Sequence, residues 1–316
     1  MNDRMESQTM KTQKRILLSL GSLMLALVVA AGFALLSPAS LVSAKTGISA
    51  SNLPPASCTL TGTVRTCELW AITGTLTLPD TVTVPIWGFA DSAVGPAQLP
   101  GPAIVANAGE TLEIIFHNEL LTETVSLTFP GQMGLLPDLE GIAAGGTITY
   151  TFTVTEPGTY LYEAGMTPNG MRQVMMGLHG GLIVRPSGAL DQAYDDADTV
   201  FDDEALVILG AIDPEFNNDP DGFGVQFLSP EYWLINGKAY PDTVEIDTAA
   251  GQDLLLRYIN ATHQTQGMGL LGLRQRVVGS DGHPIIPYGV VNETIAAGQT
   301  MDALTTVPVS TTVDTK

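Results

Sequence analysis

The chain of 316 residues carries 13 Lys plus Arg against 33 Asp plus Glu, a formal net charge of -20. It lacks the basic stripe that neutralises phosphates, which argues against nucleic acid as a partner. Charged residues make up 15% and hydrophobic residues 45% of the sequence, unlike a disordered chain, and the length allows two domains with real cores or one large all-β domain.

Lys11, Lys14 and Arg15 precede an uncharged apolar run from Ile16 to Leu36 and a small-residue stretch ending Val42-Ser43-Ala44. This is the order of a secretory signal, and the spacing predicts a cleaved leader over 1–44. The run 16–36 is also long enough to anchor the chain in a membrane uncleaved. Either way the remainder is expected outside the cytoplasm. Cys58 and Cys67 are the two cysteines of the chain, and in an oxidising compartment they are expected to form a local disulfide. The alternative, a thiolate metal site, has no nearby His to complete it.

Beyond these the chain reads as short β-rich runs at 71–78, 104–106, 111–117, 147–155, 159–163 and 181–185, punctuated by Gly and Pro. Thr147-Ile148-Thr149-Tyr150-Thr151-Phe152-Thr153-Val154 alternates as a half-buried strand does. No stretch of the body holds a helical period, so the fold expected is an all-β sandwich or barrel. The sequence also echoes itself. Ala108-Gly109-Glu110-Thr111-Leu112 through Asn118 returns as Ala250-Gly251-Gln252-Asp253-Leu254 through Asn260, and Ile142-Ala143-Ala144-Gly145 returns as Ile295-Ala296-Ala297-Gly298. Two echoes in the same order predict two copies of one β domain.

The copies are placed at 69–186 and 205–316, with 45–68 as an extension bearing the cysteines and 187–204 as an acidic linker. After its Ala-Ala-Gly turn the first copy goes on through Pro157-Gly158-Thr159-Tyr160-Leu161-Tyr162 and the strand ending at Arg185; the second reaches Lys316 before any counterpart. The second sandwich is therefore expected to be incomplete at its C-terminus, with open edges.

Trp87-Gly88-Phe89, Leu99-Pro100-Gly101-Pro102, His117-Asn118-Glu119-Leu120 and Gly177-Leu178-His179-Gly180-Gly181-Leu182-Ile183-Val184-Arg185-Pro186 resemble the first cupredoxin domain of multicopper oxidases. Leu234-Ile235-Asn236-Gly237, Arg257-Tyr258-Ile259-Asn260-Ala261 and Glu293-Thr294-Ile295-Ala296-Ala297-Gly298 resemble the second domain of laccase-type members. The resemblance implies two tandem cupredoxin-like Greek-key β-sandwiches. It also implies copper chemistry, in which a mononuclear copper takes electrons from substrate and a three-copper cluster reduces dioxygen. The cluster takes two His-x-His pairs from the first domain, since strand alternation puts both rings of a pair on one face.

At the matching positions this sequence has Thr128 and Pro130, then Glu163 and Gly165. All four imidazoles are replaced, and Pro and Gly offer no side-chain donor. The leading expectation is an exported homologue without the cluster, a non-catalytic binding or structural scaffold with copper or no cofactor at all, and an unidentified protein or surface as partner. One alternative is part of a copper-dependent oxidoreductase whose third domain lies beyond this chain. Another is a Cu(I) carrier using Met166, Met171, Met175 and Met176 with Glu163 or His179, because thioethers favour Cu(I), although methionine also simply fills core gaps. His117 and His179 read as structural, His263 and His283 as solvated turn residues. Asn217, Asp219 and Asp221, before Gly222, resemble the start of a calcium loop, but Leu228 stands where the bidentate Glu belongs.

Overall fold

The computed structural model describes residues 53 and 55–309. The leader-like stretch 1–44, with its apolar run 16–36, lies outside the described residues. The described residues belong to one compact unit.

The first half contributes β1 (Cys58–Thr61), β2 (Val64–Thr77), β3 (Thr83–Ala90), β4 (Ile104–Asn107), β5 (Thr111–Asn118), β6 (Leu127–Thr128), β7 (Thr147–Thr153), β8 (Gly158–Ala164), a short helix α1 (Gly170–Met176) and β9 (His179–Arg185). One sheet runs β1-β2-β5-β7 with β3 also on β2; the other runs β4-β9-β8-β6. Alternation explains their packing. On β7 the threonines face water while Tyr150 and Phe152 point inward, where they meet Leu112, Ile114 and Phe116 of β5 and Tyr160 and Tyr162 of β8. Burial of such side chains contributes roughly 1.5–3 kcal/mol each, so this interior dominates the stability of the half.

Cys58 and Cys67 are opposed in the β1–β2 ladder and form the disulfide. The expected extension 45–68 is thereby corrected. Residues 64–68 open the long strand β2, and Cys67 is fully buried in the core, because its neighbours alternate in and out as a central strand requires.

The second half contributes β10 (Asp203–Ile212), α2 (Pro214–Asn218), β11 (Tyr232–Ile235), β12 (Lys238–Ala239), β13 (Asp253–Asn260), β14 (Gln266–Gly269), β15 (Gln275–Ser280), β16 (His283–Val290), β17 (Asn292–Ile295) and β18 (Thr300–Thr306). A seven-stranded sheet runs β12-β11-β10-β13-β18-β15-β16, and β14 pairs with β17. One row of four strands repeats in topology. The row β3-β2-β5-β7 is antiparallel, parallel, antiparallel in its successive pairings, and so is β11-β10-β13-β18.

The two sequence echoes are tied together in each copy by one asparagine. Asn118 Nδ2 donates to Ile142 O at 2.8 Å and Gly145 N to Asn118 O at 2.6 Å. In the other copy Asn260 Nδ2 donates to Ile295 O at 3.0 Å and Gly298 N to Asn260 O at 2.8 Å. The second copy has no four-stranded counterpart of β4-β9-β8-β6 among the described residues. Instead Ile246, Met268, Leu270 and Val307 cover the inner face of its sheet over Leu254, Leu256, Tyr258 and Ala303.

The outer face of the β4-β9-β8 sheet is the seam with the second half. Ala103, Leu161 and Ile183 pack on Leu206, Ile208, Ile259 and Ala261. At Gly181 a Cβ would come within 3.0 Å of Ile259 Cδ1 and 3.1 Å of Leu206 Cδ2, so the sheet approaches this closely only because the side chain is missing. Beside this apolar patch lies a buried polar group. Arg257 is 0% exposed, donating through Nε to Glu204 at 2.9 Å and through Nη1 to Thr159 Oγ1 at 3.1 Å. Asp302 accepts from Thr159 Oγ1 at 2.6 Å and from the Tyr194 hydroxyl at 2.7 Å.

The stretch 187–204 is not a free linker. Ala193, Tyr194 and Phe201 are buried on Leu255, Val278 and Leu304, while Asp203 and Glu204 already belong to β10. The acids made the segment look solvated, but the apolar residues between them seat it on the second sheet.

Candidate functional site

The β6–β8 pairing sets Leu127 opposite Ala164 and Thr128 opposite Glu163. Along β8, Thr159 and Leu161 face the seam while Tyr160 and Tyr162 enter the first core. The same alternation carries Glu163 to the seam side. There Thr128, Pro130, Glu163 and Gly165 share the wall of one cavity of about 360 Å³, and Met166, Met171, Met175, Thr262 and His263 are among the other residues that line it. The four positions singled out by the family pattern thus converge, although they come from segments far apart in sequence. A smaller cavity of about 150 Å³, bounded by Tyr160 and Asp281, shares Pro130 and Gly298 with it along the seam.

Glu163 is half-buried, and among the described residues no side chain hydrogen-bonds to its carboxyl. Burial pushes that carboxyl up to about 7, since removing water disfavours the charged form. Gly165 leaves no room for a side chain. A Cβ there would meet Ser126 Oγ at 2.3 Å, and the helix side closes in as well, with a Cβ on Gly170 only 2.0 Å from Gly165 O. Ser126 is fully buried and its hydroxyl has no hydrogen-bond partner.

The methionine cluster divides. Met166 and Met171 form an exposed rim and Met175 a half-buried wall. Met176 and His179 do not line the cavity, which corrects the expected donor set. Both are buried; His179 Nδ1 lies 3.2 Å from Val174 O, and a Cβ on Gly210 would come within 3.9 Å of its Nε2. Burial draws the His179 imidazole down to about 4, partly offset by the contact with Val174 O. Helix α1, which carries Met171 and Met175, is held by Arg172. This guanidinium pairs with the buried Glu123 and with Asp221 and lies 5.9 Å over the Trp87 ring. Gln173 Nε2 adds a hydrogen bond of 2.7 Å to Glu123.

His263 is the residue the sequence reading missed. It was expected to be solvated, yet it is half-buried in the cavity wall, and its Nδ1 is buried without a partner. The loop that presents it is fixed by Asn260 Oδ1, which accepts from Thr262 N at 3.0 Å, and by Thr262 Oγ1, which donates to Gln264 O at 2.8 Å. The available signal was its place just after Asn260, whose counterpart Asn118 leads into the first candidate segment. His117 is stacked on Trp70 with ring centroids 4.3 Å apart, and His283 is exposed on β16.

The residues of the expected calcium loop are spent separately. Asn217 is buried in α2, with Nδ2 donating to Pro85 O at 2.9 Å; Asp219 accepts from Gly222 N at 3.0 Å; Asp221 pairs with Arg172 at 2.5 Å. Among the described residues no group of three or more His, Cys, Asp or Glu is arranged to hold a metal ion. A cluster held by paired imidazoles does not fit the seam cavity, whose lining offers one imidazole, one carboxylate, hydroxyls and thioethers.

Two family models, each described as multicopper oxidase, match residues 76–189 and 215–314. Laccase-1 of Cryptococcus neoformans var. neoformans serotype D (strain B-3501A) is 29% identical over 241 residues, 66% of this chain and 37% of that protein. L-ascorbate oxidase of Cucurbita maxima is 40% identical over 99 residues, 28% of this chain and 16% of that protein. The chain spans less than half the length of the curated relatives it matches. Among solved structures, the blue copper oxidase from Nitrosomonas europaea superposes with a TM-score of 0.67 at 22% identity, covering 77% of this chain and 76% of that one. The laccase from Botrytis aclada gives 0.63 at 25% identity, covering 80% and 48%. These neighbours support the all-β, cupredoxin-like architecture.

Proposed function

The chain belongs to the multicopper oxidase family, and from that premise we propose that it has kept the family scaffold as an exported, non-catalytic binding module. The observation that carries the proposal is the shared cavity, where Thr128, Pro130, Glu163 and Gly165 stand together at the positions the resemblance gives to first-domain copper ligands. Copper chemistry of the family's kind supplies electron transfer to oxygen through several imidazole-bound ions. The described residues hold no such set. They offer instead an apolar hollow with a partner-free carboxyl and a half-buried imidazole.

Export is supported by the disulfide between Cys58 and Cys67 and by the order of the first 44 residues, with tethering through 16–36 as the alternative to cleavage. The described residues contain no helix long and apolar enough to cross a membrane.

A second reading, a portion of a copper-dependent oxidoreductase, is favoured by the share of the curated relatives that the chain spans. Elemental analysis of exported protein produced with copper and then dialysed separates the two. The scaffold reading expects no stoichiometric copper and no oxygen consumption. Several copper atoms per chain together with oxygen uptake establish the oxidoreductase reading.

A further inference from the structure

The cavity's size and lining narrow the chemistry of an occupant. Metal ligands lie about 2.0–2.3 Å from their ion, so a metal site is a tight cluster of donors, whereas a hollow of about 360 Å³ falls in the range of small-molecule pockets. Its wall is largely apolar: Pro130, Val174, Ala261 and the three methionines. Methionine thioethers are adaptable packing surfaces and favour ligands with an aliphatic or aromatic body. Neither Lys nor Arg lines the hollow. Glu163 is its one carboxylate and has no hydrogen-bond partner among the described residues, and the chain as a whole carries -20, a field that concentrates cations.

We propose that the seam cavity binds a small organic cation, a primary ammonium on a compact apolar body, with the ammonium on Glu163 and the body against Val174, Met175 and the Met166–Met171 rim. The proposal rests on the reading of the cavity as a copper-free binding site. The ammonium supplies the hydrogen bonds that the Glu163 carboxylate lacks, and charge-assisted bonds of this kind are the strong ones. Thr128, opposite Glu163 in the ladder, offers a hydroxyl as a further acceptor. His263 lines the same cavity from the second half, so binding draws on both copies of the repeat. The exposed Met166 and Met171 form the entrance.

The test titrates n-hexylammonium, benzylammonium and neutral n-hexanol into metal-free exported protein by calorimetry, with Glu163→Gln and Met171→Lys alongside and a parallel titration with copper ions. Saturable binding of the ammonium probes is expected, with n-hexanol and the Glu163→Gln variant each at least about tenfold weaker. Met171→Lys, at the exposed rim, is expected to weaken the ammonium probes about threefold or more through like-charge repulsion. Equal affinity for n-hexanol, an unaffected Glu163→Gln protein, or no saturable binding below about 10 mM overturns the proposal. Stoichiometric copper with oxygen uptake would overturn the scaffold reading instead, and the ammonium titrations on stripped protein still decide this one.

Discussion

Gly165 stands directly against Ser126: a Cβ on the glycine would meet the serine Oγ at 2.3 Å. The position to which the resemblance assigns an imidazole is thus closed to a side chain by its packing against Ser126. Gly165→His is expected to destabilise the fold by about 1–3 kcal/mol, the usual cost of overpacking, and Ser126→Gly in the same chain is expected to recover much of it. Urea midpoints of the two variants check this; equal midpoints would mean that the cavity side has room after all.

Glu163 makes stability depend on pH in a defined direction. Its folded pKa, near 7, lies above the ordinary value of 4.5, so its favourable contribution is complete below about 4.5 and is lost as pH rises through 7. Glu163→Gln should be neutral at about pH 4 and stabilising at about pH 8. The ceiling is roughly 3 kcal/mol, reduced by solvent at the open mouth of the cavity. His179 is opposite Glu163 in the β8–β9 ladder and His263 lines the same cavity, so the comparison is best repeated in chains that lack each histidine.

His179 runs the other way. Burial draws its pKa down to about 4 from 6.5, so its contribution is present above about 6.5 and is lost as pH falls toward 4. A His179→Phe chain is expected to keep a flatter melting temperature between about pH 6.5 and 4 than the parent. A parallel loss in both proteins would show that other groups set the acid limb.

Arg257 is fully buried between Glu204, Asp302 and Thr159. Removing one partner of such a group leaves uncompensated charge, so Arg257→Met is expected to cost about 3–5 kcal/mol. Adding Asp302→Asn should return part of that loss, because the stranded carboxylate is then neutral, whereas Glu204 keeps Arg185 as its partner. Guanidinium denaturation of the single and double variants tests the point, and additive losses would argue against the network.

The chemistry of the seam was partly legible. Strand alternation and the family pattern placed Thr128, Pro130, Glu163 and Gly165 in one patch, since the β6–β8 ladder follows from the fold. The same reasoning set His263 aside as a solvated turn residue, because a lone histidine in a turn carries no periodic signal. It also grouped Met176 and His179 with the rim methionines on nearness in sequence, whereas helix α1 and the turn after it direct them into buried surroundings.

By itself the sequence determined the β class, the two-fold repeat and the disulfide. These rest on local alternation, on residue-by-residue echoes such as Asn118 with Asn260, and on two cysteines close enough to meet. Only the tertiary structure decided how the copies join. Gly181 admits Leu206 and Ile259 at the seam, Tyr194 and Phe201 seat the acidic stretch on the second sheet, and His263 joins Glu163 in the lining of one cavity. Each of these depends on which surfaces of distant segments are buried together, and packing of that kind leaves no periodic mark along a single chain.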